Sequence, residues 1–72
     1  MDAERRRQEW RSLARHWIAS ARGWQRLALS QAAQRCLSPD PTWWDARIVR
    51  SMMSALAAAR RARSDRAWGA QA

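Results

Sequence analysis

The chain has 72 residues, with six tryptophans, one cysteine and a formal charge of +8. A single cysteine excludes an intramolecular disulfide framework, and a chain this short forms one domain that buries only about 60% of the surface its unfolded state exposes. Because the net charge of +8, carried by fourteen arginines and no lysine, is large for a domain of this size, we expect polyanionic partners such as nucleic acid, acidic proteins or anionic lipid.

Targeting signals are not evident. No apolar run approaches the roughly 18 residues that a membrane span requires. The chain starts with basic residues, as a signal peptide does, but no apolar segment follows them. We therefore expect a cytoplasmic protein with a reduced thiol and no membrane span.

The first predicted element is a long helix over about residues 3–37. Trp10, Trp17 and Trp24 recur every seven residues, or nearly two helical turns, and so fall on one stripe. Small and aliphatic residues at neighbouring positions complete one apolar face. Gly23 is the only helix breaker in this stretch and costs roughly 1 kcal/mol relative to alanine, so the sequence is compatible with a continuous or a broken helix.

A row of arginines follows the side of this helix opposite the indoles. Its members are Arg11, Arg15, Arg22 and Arg26. One interpretation is a solvated face, which any amphipathic helix needs. The other is a row of guanidinium groups that follows a phosphate backbone.

Residues 38–41 interrupt the helical pattern with two prolines, which cannot continue a helix. Asp40 as N-cap and Pro41 at the first helical position predict the start of a second helix. Thr42 and Asp45 offer an alternative capping box, because they are three residues apart.

We predict the second helix over about residues 41–68, with Gly69 as its stop. A loop this short makes the two helices antiparallel neighbours, so the fold class is all-α, an antiparallel hairpin of two long helices. The side chains of the second helix that are predicted to face the first are Trp44, Ile48, Met52, Ala55, Ala59 and Ala62. The alanines would accommodate the bulky indoles of the first helix.

Folding at the loop places Trp24 level with residue 55 and Trp10 near Trp68. A helix pair presents a single seam, so several apolar residues stay without a partner. These are Ile18, Leu29, Met53 and one of Trp43 and Trp44. We therefore expect a homo-oligomer, a helical bundle; a subunit of another protein and a monomer covered by arginine stems are the alternatives.

The sequence contains no catalytic or metal-binding constellation. His16 and Cys36 are the only histidine and cysteine, and twenty residues of helix separate them by about 30 Å. Metal-ligand spacing, a glycine-rich phosphate loop and a nucleophile elbow are absent. We predict a non-enzymatic protein without cofactor, metal or small-molecule substrate, in which His16 is a partly buried interface residue and Cys36 a small core residue.

Arginines from both ends of the chain meet at the end of the hairpin away from the loop. Together with the row on the first helix, they form the predicted binding set for nucleic acid or a protein partner. This set is Arg5, Arg6, Arg7, Arg11, Arg15, Arg22, Arg26, Arg60, Arg61, Arg63 and Arg66. Arginines near the end of the second helix also suit its dipole, whereas Arg5–Arg7 lie at the wrong end of theirs.

Two tryptophans are candidate aromatic contacts. Trp43 is followed by arginines at the positions four and seven residues on, so among the aromatic residues it is the candidate for an exposed contact, on which a base or a partner side chain stacks. The interpretation that we favour is that it closes the loop end over Cys36 and Leu37. Trp68 is either a contact residue or packs against Trp10.

These features favour two functions. The first is a small helical regulator or accessory protein that binds nucleic acid mainly through phosphate contacts. In size and layout the predicted hairpin resembles the small helical-hairpin RNA-binding regulators of plasmids, a likeness of architecture without matching motifs. The second is an adaptor or inhibitor, of the type found in phages and mobile elements, that docks on a larger acidic protein or nucleoprotein complex. Binding of the first helix to a membrane surface is a third possibility.

Overall fold

The structure, a computed structural model, describes residues 2–71 as two helices joined by a short loop. Helix α1 spans Asp2–Leu37 and α2 spans Thr42–Gln71. They pack against each other as an antiparallel pair whose backbone extends over 59 × 13 × 10 Å. The predicted all-α hairpin is thereby confirmed. Within residues 2–71, neither helix contains a stretch long and apolar enough to cross a membrane.

Helix α1 is one unbroken element. Alanine, leucine, glutamine and arginine favour the helix, and Asp2 and Glu4 place negative charge in its first turn. The helix passes through Gly23, where an added Cβ would meet nothing within 4 Å. It ends at Leu37 because Pro39 follows two residues later and disfavours the helical conformation of the residue before it.

Side-chain hydrogen bonds order the loop. The Asp40 amide donates to the Ser38 hydroxyl at 3.2 Å, and the Thr42 hydroxyl donates to Asp40 Oδ1 at 2.6 Å. Arg35 Nε of α1 donates to Asp45 Oδ1 of α2 at 2.6 Å, and this bond raises the pKa of Arg35. Asp45 therefore joins the two helices, and the alternative of a capping box with Thr42 is wrong.

The prediction that α2 stops at Gly69 is also wrong. This glycine is buried inside the helix, which continues to Gln71, and its φ is not positive. A Cβ at position 69 would lie 2.8 Å from the Cβ of Trp10. Gly69 therefore allows a close approach of α1, and its role as a helix terminator was inferred from the residue type alone.

The register of the hairpin follows from contacts at its two ends. Trp10 lies against Gly69, one residue from the predicted Trp68. Toward the loop, the Ser51 hydroxyl donates to Gln31 Oε1 at 2.7 Å. With equal rise in both helices, the first contact places Trp24 level with Ala55 and the second places it level with Ala58, close to the predicted level at about residue 55.

Small residues form the seam between the helices. The buried residues are Ala14 and Ala21 of α1 and Ser51, Ala55, Ala58, Ala62, Asp65 and Gly69 of α2. Those of α2 alternate steps of four and three, a seven-residue repeat typical of coiled coils. The predicted face was wrong at Met52 and Ala59, which are exposed while Ser51 and Ala58 are buried. The reason is that a supercoiled pair follows a period of 3.5 residues, and the prediction drifted with the 3.6 of a straight helix.

The indoles are not the core, which corrects the prediction. Trp10 and Trp17 are half-buried, and Trp24 retains 39% of its exposure. Because alanine packs against alanine, the helices approach so closely that an indole between them is forced toward the side of the seam. The guanidinium of Arg61 lies 5.7 Å from the Trp17 ring and covers part of it.

The only histidine and the only cysteine lie away from the seam. Both His16 and Cys36 are exposed, so their predicted partial burial is wrong. The His16 ring meets the edge of Trp17 at a centroid distance of 5.2 Å. By contrast, Leu29 and Met53 are exposed, as predicted from a single seam.

Candidate nucleic-acid interface

A continuous trough runs between α1 and α2 along one face of the hairpin. At the open end its walls are cationic; toward the loop they become apolar. Ile18 and Arg66 border both its first and middle sections, and Gln25 and Ala59 border both its middle and last sections. None of the tryptophans of residues 2–71 lines it, so the trough and the indole stripe lie on different faces of the seam.

Six arginines line the cationic part, which we call the arginine groove. They are Arg7, Arg11, Arg15 and Arg22 of α1 and Arg63 and Arg66 of α2. Residues four apart on a helix lie on the same side about 6 Å from each other, so Arg7, Arg11 and Arg15 form a regular row. From Arg7 to Arg22 this row is about 22 Å long.

The arginines of this groove form no ion pair among the described residues. Among the described residues, ion pairs of arginine join Arg5 to Glu9, Arg35 to Asp45 and Arg61 to Asp65, and none involves a groove arginine. A guanidinium group that lacks a carboxylate partner can donate two parallel hydrogen bonds to the oxygens of a phosphate.

The other arginines of the predicted binding set lie outside this groove. Arg5 and Arg61 are each 3.8 Å from a carboxylate four residues along their own helix. Arg6, Arg26 and Arg60 are exposed but do not line the trough. The structure thus gathers six of the eleven predicted residues on one surface.

Asp65 is not among the site or seam residues that the sequence predicts. The residue is 4% exposed, lines the arginine groove and has an Oδ2 atom without a hydrogen-bond partner among residues 2–71. Its Oδ1 lies 3.8 Å from Arg61 Nε. The signal that identifies it is the heptad: Asp65 follows Ser51 and Ala58 at intervals of seven on the seam.

The two candidate aromatic contacts are both more than half exposed. Trp43 stacks beneath the Arg47 guanidinium, 3.9 Å from the ring centroid, and meets Trp44 edge to face. The favoured interpretation, in which Trp43 closes the loop end over Cys36 and Leu37, is wrong, because Cys36 is exposed and Leu37 is 82% exposed. Trp68 does not pack as a plug against Trp10, since the neighbouring Gly69 occupies that position.

Charge and apolar surface are distributed unequally along the rod. We call residues 2–22 and 57–71 the open half, and residues 23–56 the loop half. The open half has ten of the fourteen arginines and four of the six carboxylates, which gives it +6 against +2 for the loop half. Of the eleven large apolar side chains exposed within residues 2–71, nine belong to the loop half. The molecule therefore has a cationic end and an apolar end.

Comparisons with protein-family models, with curated proteins and with solved structures find no significant match to this chain.

Proposed function

We propose that this chain is a small non-enzymatic regulator or accessory protein that binds nucleic acid through backbone phosphates in the arginine groove. The observation that supports the proposal is the grouping of six arginines, none ion-paired within residues 2–71, on one face of the rod. A merely solvated face would not require arginines of both helices to converge on one surface.

The mechanism of binding is electrostatic. Each guanidinium that neutralises a phosphate releases condensed counterions, and this release supplies most of the affinity. The groove spans about 22 Å, or roughly six base-pair steps at 3.4 Å along a duplex strand. Phosphate contacts fix position on the nucleic acid but carry no sequence information, so we expect little base specificity.

The buried carboxylate contributes to this surface. Asp65 lies at the base of the groove beside Arg11, Arg15 and Arg66.

The salt dependence of binding tests the proposal. With six phosphates neutralised, the slope of log affinity against log salt is about −5 for duplex DNA and about −4 for a single strand. Replacing Arg11 and Arg15 by glutamine removes two contacts and reduces the magnitude of the duplex slope by about 2. Fluorescence anisotropy with a labelled oligonucleotide over a range of salt concentrations measures both values.

The matched control is Arg26→Gln with Arg50→Gln, which removes the same charge from exposed positions outside the groove. We expect this pair to change the slope by much less. Equal effects of the two double variants would show that net charge alone drives binding, and affinity independent of salt would exclude the mechanism.

A second candidate function is docking on a larger protein, as an adaptor or inhibitor. The nine exposed apolar side chains of the loop half favour it, because large exposed apolar patches mark interaction sites. Purification before and after nuclease treatment separates the two functions. One protein that remains bound in stoichiometric amount after nuclease treatment, and leaves when Leu29 is replaced by Asp, would support docking.

A further inference from the structure

The apolar part of the trough is a surface without a partner. Leu29 of α1 and Ile48, Met52 and Leu56 of α2 form its walls, and no charged residue lines it. On α2 this wall continues around the helix through exposed valine and methionine side chains, at steps of three and four residues. We call this surface the apolar face.

The buried core of the hairpin contributes little to the free energy of folding. The buried hydrophobic residues are all alanine, and no side chain within residues 2–71 is completely buried. Each buried CH₂ contributes about 0.8 kcal/mol, so an alanine seam supplies far less free energy than one of leucine or isoleucine. Much of the apolar surface that stabilises a domain of this size is instead exposed on the apolar face.

We propose that a second copy of the chain covers this face, with the two hairpins antiparallel and related by a twofold axis that lies in the plane of the contact, perpendicular to the helices. The loop halves then overlap as four helices, and the open halves project from opposite ends. This arrangement is independent of nucleic-acid binding.

The size of the face supports the pairing. Fifteen residues of each helix, together with the loop, make up the loop half, so the overlap is about 25 Å long and, with two helices of about 10 Å, about 20 Å wide. This is about 500 Å² per copy, or about 1,000 Å² in the pair, which is about the minimum for a specific interface and has the size of a weak dimer. Because no charged residue lines this part of the trough, it can meet the same surface of a second copy without like-charge repulsion, as an isologous interface requires.

Charge decides the orientation. In a parallel pair, two open halves of +6 would lie side by side, and the repulsion between them opposes association. In the antiparallel pair, only the loop halves of +2 meet. The pair is then a rod of about 90 Å, since two hairpins of 59 Å overlap over about 25 Å.

Molar mass from sedimentation equilibrium in the absence of nucleic acid is the first test. We expect twice the 8.4 kDa of the chain. Leu29→Asp introduces a charge into the apolar face of both copies and should raise the dimer dissociation constant roughly a hundredfold. Leu29 is 72% exposed in the hairpin, so this substitution disturbs little within one chain.

Leu27→Asp is the matched control, because Leu27 is an exposed leucine two residues away that does not line the trough. This variant should remain a dimer, with twice the mass of the chain. Circular dichroism at the same concentration reports whether each variant stays helical. If Leu29→Asp loses helix, the double variant Leu29→Ala with Leu56→Ala replaces it, since alanine keeps helix propensity and only removes apolar surface.

Small-angle scattering tests the orientation. A maximum dimension near 90 Å supports the antiparallel pair, and a dimer near 60 Å overturns it. The proposed interface is overturned if the wild-type chain has the mass of a monomer. It is also overturned if Leu27→Asp dissociates the dimer and Leu29→Asp does not.

Salt separates this proposal from the proposed function. Added salt screens the repulsion between copies and strengthens the dimer, whereas it weakens binding to phosphates. Either proposal can therefore fail while the other stands.

Discussion

At the scale of single residues, the two glycines of this helical hairpin have opposite surroundings. An added Cβ at Gly23 would meet nothing within 4 Å, while one at Gly69 would lie 2.8 Å from Trp10 Cβ. Both are helical without a positive φ, so neither is held by backbone conformation. Their difference is a difference in packing, which residue type alone does not predict.

Substitution by alanine separates the two positions. Gly23→Ala should stabilise the protein by about 1 kcal/mol, the difference in helix propensity. Gly69→Ala gains the same propensity but forces α1 and α2 apart, and overpacking of this kind costs about 1–3 kcal/mol. Thermal unfolding followed by circular dichroism should therefore show a higher midpoint for the first variant and an unchanged or lower one for the second. Equal stabilisation would mean that Trp10 does not pack on residue 69.

Asp65 offers a second test at this scale. Its buried Oδ2 lacks a hydrogen-bond partner within residues 2–71, and removing a buried polar group in this state is neutral or favourable. We expect Asp65→Ala, which extends the alanine seam, to raise the free energy of unfolding by about 1 kcal/mol. Asp65→Asn keeps the shape of the side chain and still needs hydrogen-bond partners, so we expect a smaller rise in the free energy of unfolding. Chemical denaturation of the two variants measures the difference, and a loss of stability in Asp65→Ala would show that the carboxylate is satisfied.

At the scale of the helices, the alanine seam sets their spacing. Ala21 is buried and Ala19, two residues before it, is exposed. Leucine fits the helix at both positions, but at position 21 it must push α2 away.

We expect Ala21→Leu to lower stability by about 1–3 kcal/mol and Ala19→Leu to change it by less than about 0.5 kcal/mol. Denaturant titration of both variants, monitored by helix content, compares the two. A tolerated leucine at position 21 would mean that the helices are not in close contact there.

The sequence predicts the helices and their pairing because these depend on local signals. Prolines at 39 and 41 end one helix and begin the next, and the loop is too short for any arrangement but a hairpin. Which side chains are buried depends on the spacing of the two helices, which is a tertiary property. Large indoles at regular intervals resemble a core, yet the alanines beside them, such as Ala14 and Ala21, occupy it.

At the scale of the whole molecule, part of the candidate site was predictable. The convergence of arginines at the open end follows from the hairpin topology. The sequence does not predict which of these arginines line the groove, because that depends on the side of the seam to which each side chain points. Arg11 and Arg26 belong to the same row in the sequence, but only Arg11 lines the groove.

The repeat of the seam has a consequence for alignment. Sliding α2 along α1 by seven residues, or about 10 Å, brings the same kinds of side chains opposite each other again, with Trp17 instead of Trp10 facing Gly69. The bonds Arg35–Asp45 and Gln31–Ser51 exist in one stagger only, and both lie near the connection between the helices. The short connection, together with the two bonds beside it, therefore selects the alignment. If it were cut or lengthened, the two helices would be expected to populate several staggered pairings.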